Sequence, residues 1–180
     1  MIGTKELLRL VNECKLVENL CQRELENPEG SGFDLRVGEV FKIKEGEAFL
    51  GETERFTPET EQVVKYSDNT KVSVLIKPGD FFLVKTMEKV NLPKNIAAIF
   101  RPRSTLQRSG IGLFTAAVSP GYCGELTFGI ANLGKNNFRL EMGARIAHII
   151  FFDTSENVSD YRGQWQGGRV STEGKVEIQV

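Results

Sequence analysis

Residues 72–100 read VSVLIKPGDFFLVKTMEKVNLPKNIAAIF, and this stretch decides the class of fold. Short runs rich in β-branched and aromatic residues, Val72–Ile76, Phe81–Val84 and Ile96–Phe100, are cut apart by Pro78-Gly79-Asp80 and by Leu92-Pro93-Lys94-Asn95. Such runs between turn formers read as strands, because branched and aromatic side chains pack well on a pleated surface while proline and glycine end the pairing. The texture continues outward from there. Lys42-Ile43-Lys44 is a further short run, and Ser119-Pro120-Gly121 and Leu133-Gly134-Lys135-Asn136-Asn137 are further breaks. Many short strands at this spacing predict a mainly β fold, a barrel or a jelly-roll-like sandwich.

The flanks differ in period. Between Thr4 and Leu25, Leu7, Leu8, Val11, Leu16, Val17 and Leu20 recur at roughly helical intervals, which predicts one or two short N-terminal helices with Thr4 as N-cap. A further turn or two of helix is expected after Pro102, over Ser104–Ser109. Glu45–Asn69 is polar and acidic and reads as a variable loop or hairpin insertion. Ser155–Gly174 is rich in Gly, Ser, Gln and Arg and poor in aliphatics, so it is expected to be disordered or to order only against a partner. The expected organisation is a single β domain over residues 1–154, carrying the helical segment, and a flexible lid and tail over 155–180.

Composition narrows the chemistry. With 180 residues, 40% of them hydrophobic and 26% charged, the chain can bury one ordinary core. Lys plus Arg number 23 against 24 Asp plus Glu, so the overall field favours neither nucleic acid nor an anionic membrane. No stretch approaches the roughly 18 apolar residues of a membrane span, and Met1–Leu10 carries Lys5, Glu6 and Arg9, so a cytoplasmic protein is expected. Cys14, Cys21 and Cys123 form no CxxC pair, against both a disulfide framework and a structural zinc site. His148 is the only histidine, which excludes polyhistidine metal sites and leaves little room for a triad.

The densest chemistry lies in Arg101-Pro102-Arg103-Ser104-Thr105-Leu106-Gln107-Arg108-Ser109-Gly110. Three arginines and three hydroxyls in ten residues offer forked and single donors to a cluster of oxyanions, as a triphosphate needs. The same composition also describes a solvated turn with caps and surface ion pairs. The segments around it shift that balance.

Five segments in order, spanning about residue 30 to residue 170, resemble the five motifs of the dCTP deaminase/dUTPase superfamily. Ser31-Gly32-Phe33-Asp34-Leu35-Arg36-Val37-Gly38 resembles the first, a glycine turn entering an aspartate-bearing strand. Arg103-Ser104-Thr105-Leu106-Gln107-Arg108 is similar to the arginine-serine phosphate motif, in a two-arginine form like that of the deaminase branch. Val118-Ser119-Pro120-Gly121-Tyr122-Cys123-Gly124-Glu125-Leu126, continuing to Asn132, resembles the deoxyribose and base pocket. Met142-Gly143-Ala144-Arg145-Ile146-Ala147-His148-Ile149-Ile150 resembles the fourth motif, where relatives often carry glutamine at the place of His148. Tyr161-Arg162-Gly163-Gln164-Trp165-Gln166-Gly167-Gly168 resembles the mobile C-terminal motif that closes over the triphosphate.

The resemblance implies a dUTPase-like distorted β-barrel or jelly-roll with short N-terminal helices, assembled as a homotrimer with sites between subunits. It implies binding of dUTP or dCTP with Mg2+, the metal held mainly by the phosphates. By matching position, Arg103, Ser104, Thr105 and Arg108 would contact phosphates or poise water. Tyr122 would floor the sugar, and Thr115 to Ala117, including Ala116, with Thr127, Phe128 and Gly129, would line the base pocket. Tyr161, Gln164, Trp165 and Gln166 would close the lid, with Trp165 either stacking on the base or anchoring the tail by burial. Asp34 is expected to hold site geometry, His148 to be packed or hydrogen-bonded, and Glu125 to face solvent.

Two places depart from relatives. The dUTPase branch has an aspartate where this chain has Ser119, and the deaminase branch has a glutamate where it has Gly129. A hydroxyl is a poor general base and glycine supplies none; losing such a group costs about 10²–10⁴-fold in rate. Three readings therefore stand: a dUTP diphosphatase using Ser104, Arg108 and Ser119, a dCTP deaminase with a relocated acid, and a weak or silent nucleotide-binding regulator.

Overall fold

A computed structural model describes residues 1–180 except Ser155, Asn157, Asp160 and Val180. In chain order the elements are α1 (Thr4–Cys14), β1 (Val17–Glu18), α2 (Gln22–Glu26), β2 (Gly32–Ile43), β3 (Phe49–Leu50), β4 (Glu54–Phe56), β5 (Thr60–Lys65), β6 (Ser73–Ile76), β7 (Phe81–Asn91) and β8 (Ile96–Pro102). There follow α3 (Ser104–Arg108), β9 (Ile111–Phe114), β10 (Cys123–Asn132), β11 (Phe138–Glu141), β12 (Arg145–Asp153) and β13 (Glu177–Ile178). The main sheet runs β8-β12-β2-β7-β10-β9, with β1 added on β7 and β5 on β2. It curls into a nearly closed, barrel-like body, mainly β as its sequence predicts. No helix among the described residues is long and apolar enough to cross a membrane.

Strand alternation builds the core. Along β7, Val84, Thr86, Glu88 and Val90 are buried at every second position, the period of a pleated strand. Val84 and Val90 meet Phe33, Leu35 and Val37 of β2, Ile130 of β10 and Ile146, Ile149 and Phe151 of β12 in one cluster. Two inward positions of β7 are polar and both are satisfied. The Thr86 hydroxyl donates to the Glu88 carbonyl at 2.7 Å and accepts the Leu126 amide at 2.9 Å, where β10 bulges between Glu125 and Thr127. Glu88 accepts the Arg36 amide at 2.7 Å and Nε at 2.6 Å, yet burial still pushes its carboxyl above the usual range.

Three expectations change in detail. The first helix begins at Thr4 itself, with Gly3 as an extended N-cap and no side-chain cap bond, because the Gly3 carbonyl already accepts the Leu7 amide. Residues 45–69 are ordered, forming the β3-β4 hairpin and β5, and β5 joins the main sheet through β2. The described residues of the tail pack against this chain, and the expectation for 155–174 also covers Ser155, Asn157 and Asp160, which lie outside them. From Tyr161 onward it lies on the barrel-like body, with β13 completing a β13-β4-β3 sheet. Its bonds include Tyr161 N–H to the Pro120 carbonyl at 3.0 Å, Gly167 N–H to the Cys123 carbonyl at 2.8 Å, and an exchange in which the Thr57 and Thr172 amides each donate to the other's hydroxyl at 2.9 Å. A side chain at Gly124 would collide with the Gly167-Gly168 backbone, so glycine at that place admits the tail.

Candidate functional site

The loop from β9 to β10 and the docked tail enclose a cavity of about 290 Å³. Phe100, Leu126 and Phe128 give it an apolar wall from the core, and Ala116 to Ser119 form its rim. The tail roofs it with Tyr161, Trp165, Arg169 and Val170. Tyr122 lies between the two, its ring edge-on to Tyr161 with centroids 5.3 Å apart. The Tyr122 hydroxyl donates to the Glu125 carbonyl at 2.5 Å, and burial pushes the phenol up to about 12. Tyr122 therefore stays neutral at ordinary pH and offers the cavity a ring, its proton being already committed.

Two guanidinium groups flank Trp165. The guanidinium of Arg55, on the insertion, lies 5.9 Å from its ring centre and that of Arg169 lies 6.0 Å away. Glu177 of β13 ties this arrangement by accepting from Gln164 Nε2 at 2.6 Å and from Arg169. Gln166 reaches back across the cavity edge, accepting the Cys123 amide at 3.1 Å and donating to the Gly121 carbonyl at 3.2 Å. Gln164 and Gln166, expected as lid contacts to nucleotide, thus spend these groups fastening the tail. Trp165 both lines the cavity and anchors the tail, so its two expected roles coincide.

A second cluster gathers on Asp34, whose side chain is fully buried on β2. One terminal nitrogen of Arg103 donates to both its oxygens, at 2.9 and 2.7 Å, and Arg145 donates to Oδ2 at 2.8 Å. His148 Nδ1 stands 2.9 Å from Oδ1, and Arg23 lies 3.7 Å from Oδ2. Burial by itself would raise the Asp34 carboxyl, but the His148 bond and the charges of Arg103 and Arg145 outweigh it and hold the carboxyl below the usual range. The expectations for Asp34 and His148 fit this geometry. Arg103 is drawn toward Asp34 by one nitrogen and remains 32% exposed, so the rest of its fork faces outward. Ser104, Thr105 and Arg108 follow on α3, exposed, while Leu106 plugs that turn into the core.

The expected site residues therefore fall into two groups. Ala116, Ser119, Tyr122, Thr127, Phe128, Tyr161 and Trp165 line the cavity; Arg103, Ser104, Thr105 and Arg108 do not. Gly129 also lies off the lining, since a Cβ there would stand 2.8 Å from the Phe81 ring and 3.3 Å from Phe114 Cβ. Glu125 lies beneath the tail turn, against Gly168, rather than open to solvent. Sequence reasoning missed Arg169 and Val170, which follow the last motif, and Arg145, which sits inside the fourth. A cation next to the Gly167-Gly168 pair was the available signal for Arg169. Among the described residues no group of three or more His, Cys, Asp or Glu could hold a metal ion, and no Asp, Glu or His lines the cavity.

Comparisons with known proteins place the chain in a family. Residues 2–154 match the family described as dCTP deaminase-like. A protein of Thermococcus kodakarensis named dCTP deaminase is 32% identical over 146 residues, covering 80% of this chain and 82% of its own. One of Dictyoglomus thermophilum named dCTP deaminase, dUMP-forming, is 29% identical over 160 residues, covering 86% and 81%. A probable deoxyuridine 5'-triphosphate nucleotidohydrolase of Methanothermobacter thermautotrophicus is 31% identical over 136 residues, covering 76% and 85%. Among solved structures, the 2'-deoxycytidine 5'-triphosphate deaminase of Agrobacterium tumefaciens superposes with a TM-score of 0.63 at 16% identity, a likeness of fold. That match covers 83% of this chain and 47% of the other, so the chain spans about half the neighbour's length.

Proposed function

The chain belongs to the dCTP deaminase-like family, and from that premise we propose that it binds pyrimidine deoxynucleoside triphosphates and hydrolyses dUTP to dUMP and pyrophosphate. The observation that carries the choice of reaction is the bare, crowded place at Gly129. Deamination needs an acid/base that moves protons between water and the exocyclic amine. At the place where the deaminase branch carries its glutamate, this chain has no side chain and an aromatic neighbour 2.8 Å from any Cβ. The cavity lining offers no carboxylate or imidazole among its described residues to take over that task.

Hydrolysis asks less of the protein. Water attacks the α-phosphorus, the α–β bridging P–O bond breaks, pyrophosphate leaves, and the water proton passes to solvent or to the released phosphates. Positioning and charge neutralisation supply much of such a rate. In this reading the outward nitrogens of Arg103 and the guanidinium of Arg108 take the phosphate charge. Ser104 and Ser119 hold water by hydrogen bonds without deprotonating it fully, which predicts a slow enzyme. Magnesium enters as part of the nucleotide substrate, held mainly by the phosphates.

The separation of the two groups of residues supports a shared site. A cavity of about 290 Å³ is at the small end for ligand pockets and suits the nucleoside end of the substrate. The arginine-serine segment is exposed and lines no part of it. A homotrimer that lays one subunit's Arg103–Arg108 across the mouth of its neighbour's cavity would assemble both halves. Pyrophosphate release from dUTP tests the assignment: Arg108→Ala should lower it at least ten-fold with the melting temperature unchanged. Full activity in that variant would remove the segment from the site.

A further inference from the structure

We infer that the β3-β4 hairpin is a latch on the roof of the cavity, setting how fast nucleotide enters and leaves but not how tightly it is held. The inference rests on the nucleotide-binding reading above and deepens it. The segment that carries the roof residues Trp165, Arg169 and Val170 is tied down by two sets of bonds. One set runs to the barrel-like body, where the Tyr161 and Gly167 amides donate to the Pro120 and Cys123 carbonyls. The other runs to the hairpin and to Thr57 just after it, and is made by residues 172–179, beyond the roof.

Thr172 is the centre of the second set. It is fully buried, and its hydroxyl accepts the Thr57 amide at 2.9 Å and donates to the Thr57 carbonyl at 3.2 Å. The Thr172 amide returns a bond to Thr57 Oγ1 at 2.9 Å. Farther along, the Gly174 amide reaches the Thr57 carbonyl at 3.0 Å, β13 pairs with β4 at Glu177–Arg55 and Ile178–Glu54, and the Gln179 amide reaches the Thr53 carbonyl at 2.8 Å. Buried polar groups that lose their partners raise the free energy, so the roof lifts only when these bonds open together. Neither Thr57 nor Thr172 lines the cavity. Their bonds are alike with the cavity empty or filled, and bonds that do not distinguish two states do not shift the equilibrium between them. They act on the barrier instead, because a cavity of about 290 Å³ beneath Trp165 and Arg169 must open for a nucleoside to pass in either direction.

The test is surface plasmon resonance with the α,β-imido analogues of dUTP and dCTP, in which the cleaved bridge is blocked, together with hydrogen exchange of the Gly167 amide in the ligand-free protein. Thr172→Val keeps the shape and loses the hydroxyl, so the Gly167 amide should exchange about ten-fold faster. Association and dissociation rate constants should both rise by about the same ten-fold, with Kd staying within about two-fold of wild type. Thr172→Ser keeps the hydroxyl and should match wild type. Gln179→Ala, which removes a side-chain bond to the Gly51 carbonyl at the far end of the tail, should move exchange and both rate constants the same way by about two- to three-fold. A residue that only stabilises the fold would leave the two rate constants where they are, and one that touches nucleotide would change Kd. Unchanged exchange in both Thr172→Val and Gln179→Ala, rate constants that do not follow faster exchange, or a Kd shifted by about ten-fold or more overturns the inference alone. Binding of neither analogue by wild type overturns the proposed function and, with no nucleotide to gate, the inference with it.

Discussion

Arg23, Arg103, Arg145 and His148 all reach toward the carboxylate of Asp34, and the pH response of the fold follows from that geometry. A carboxyl held below its unfolded value adds stability that is complete above the unfolded value and is lost as pH falls through the folded one. Asp34→Asn should therefore cost about 2 kcal/mol in urea unfolding at pH 7, discounted because the arginines are about one-third exposed. The same variant should lose less than wild type on moving to pH 3, and an equal loss in both would remove Asp34 from the acid response. Gly129→Glu makes a second test at this scale. A glutamate there runs into Phe81, so it should yield no ammonia from dCTP, and release by the single variant would show the place to be open after all. The sequence marks Asp34 as a motif residue, but its partners come from α2, β12 and the residue after β8. Such convergence has no local signature.

At the scale of elements, the strands that carry hydrophobic runs were readable and the clasp was not. β6, β7, β8 and α3 lie within a residue or two of their expected starts, because branched runs, Pro78-Gly79 and Pro102 leave strong local signals. β13 is two residues long, and the tail before it docks through backbone amides, glycines and the ties of Glu177, none of which shows as apolar periodicity. The docked tail gives a direct prediction. Glu177→Ala should loosen the segment around Trp165, and the Gly167 amide should exchange about ten-fold faster, the factor that about 1.4 kcal/mol of local stability produces. A parallel red shift of Trp165 fluorescence is expected. Unchanged exchange would mean that the backbone bonds to Cys123 and Pro120 hold the tail unaided.

For the whole molecule, the barrel-like body and the family were both readable, since five ordered segments each carry a local pattern. The split of the expected residues into a cavity group and an exposed arginine-serine group was not readable, because a linear motif does not say which other segments it will meet in the fold. If the site is shared, subunits damaged in different halves should complement each other. Ala116→Trp fills the exposed rim of the cavity, and Arg108→Ala removes a phosphate contact. Each alone should be nearly inactive on dUTP, while the co-expressed pair should regain activity, and light scattering should give three times the subunit mass. No recovery from the pair, or a monomer, would place each site within a single chain.

Hydrolysis of dUTP without deamination of dCTP can be read in a single product assay. Purified protein is incubated with magnesium and either dUTP or dCTP, and the products are resolved by ion exchange while ammonia is followed. The expected products are dUMP and pyrophosphate from dUTP at a slow rate, with no ammonia from dCTP. Ammonia from dCTP, or no product from dUTP, would contradict it.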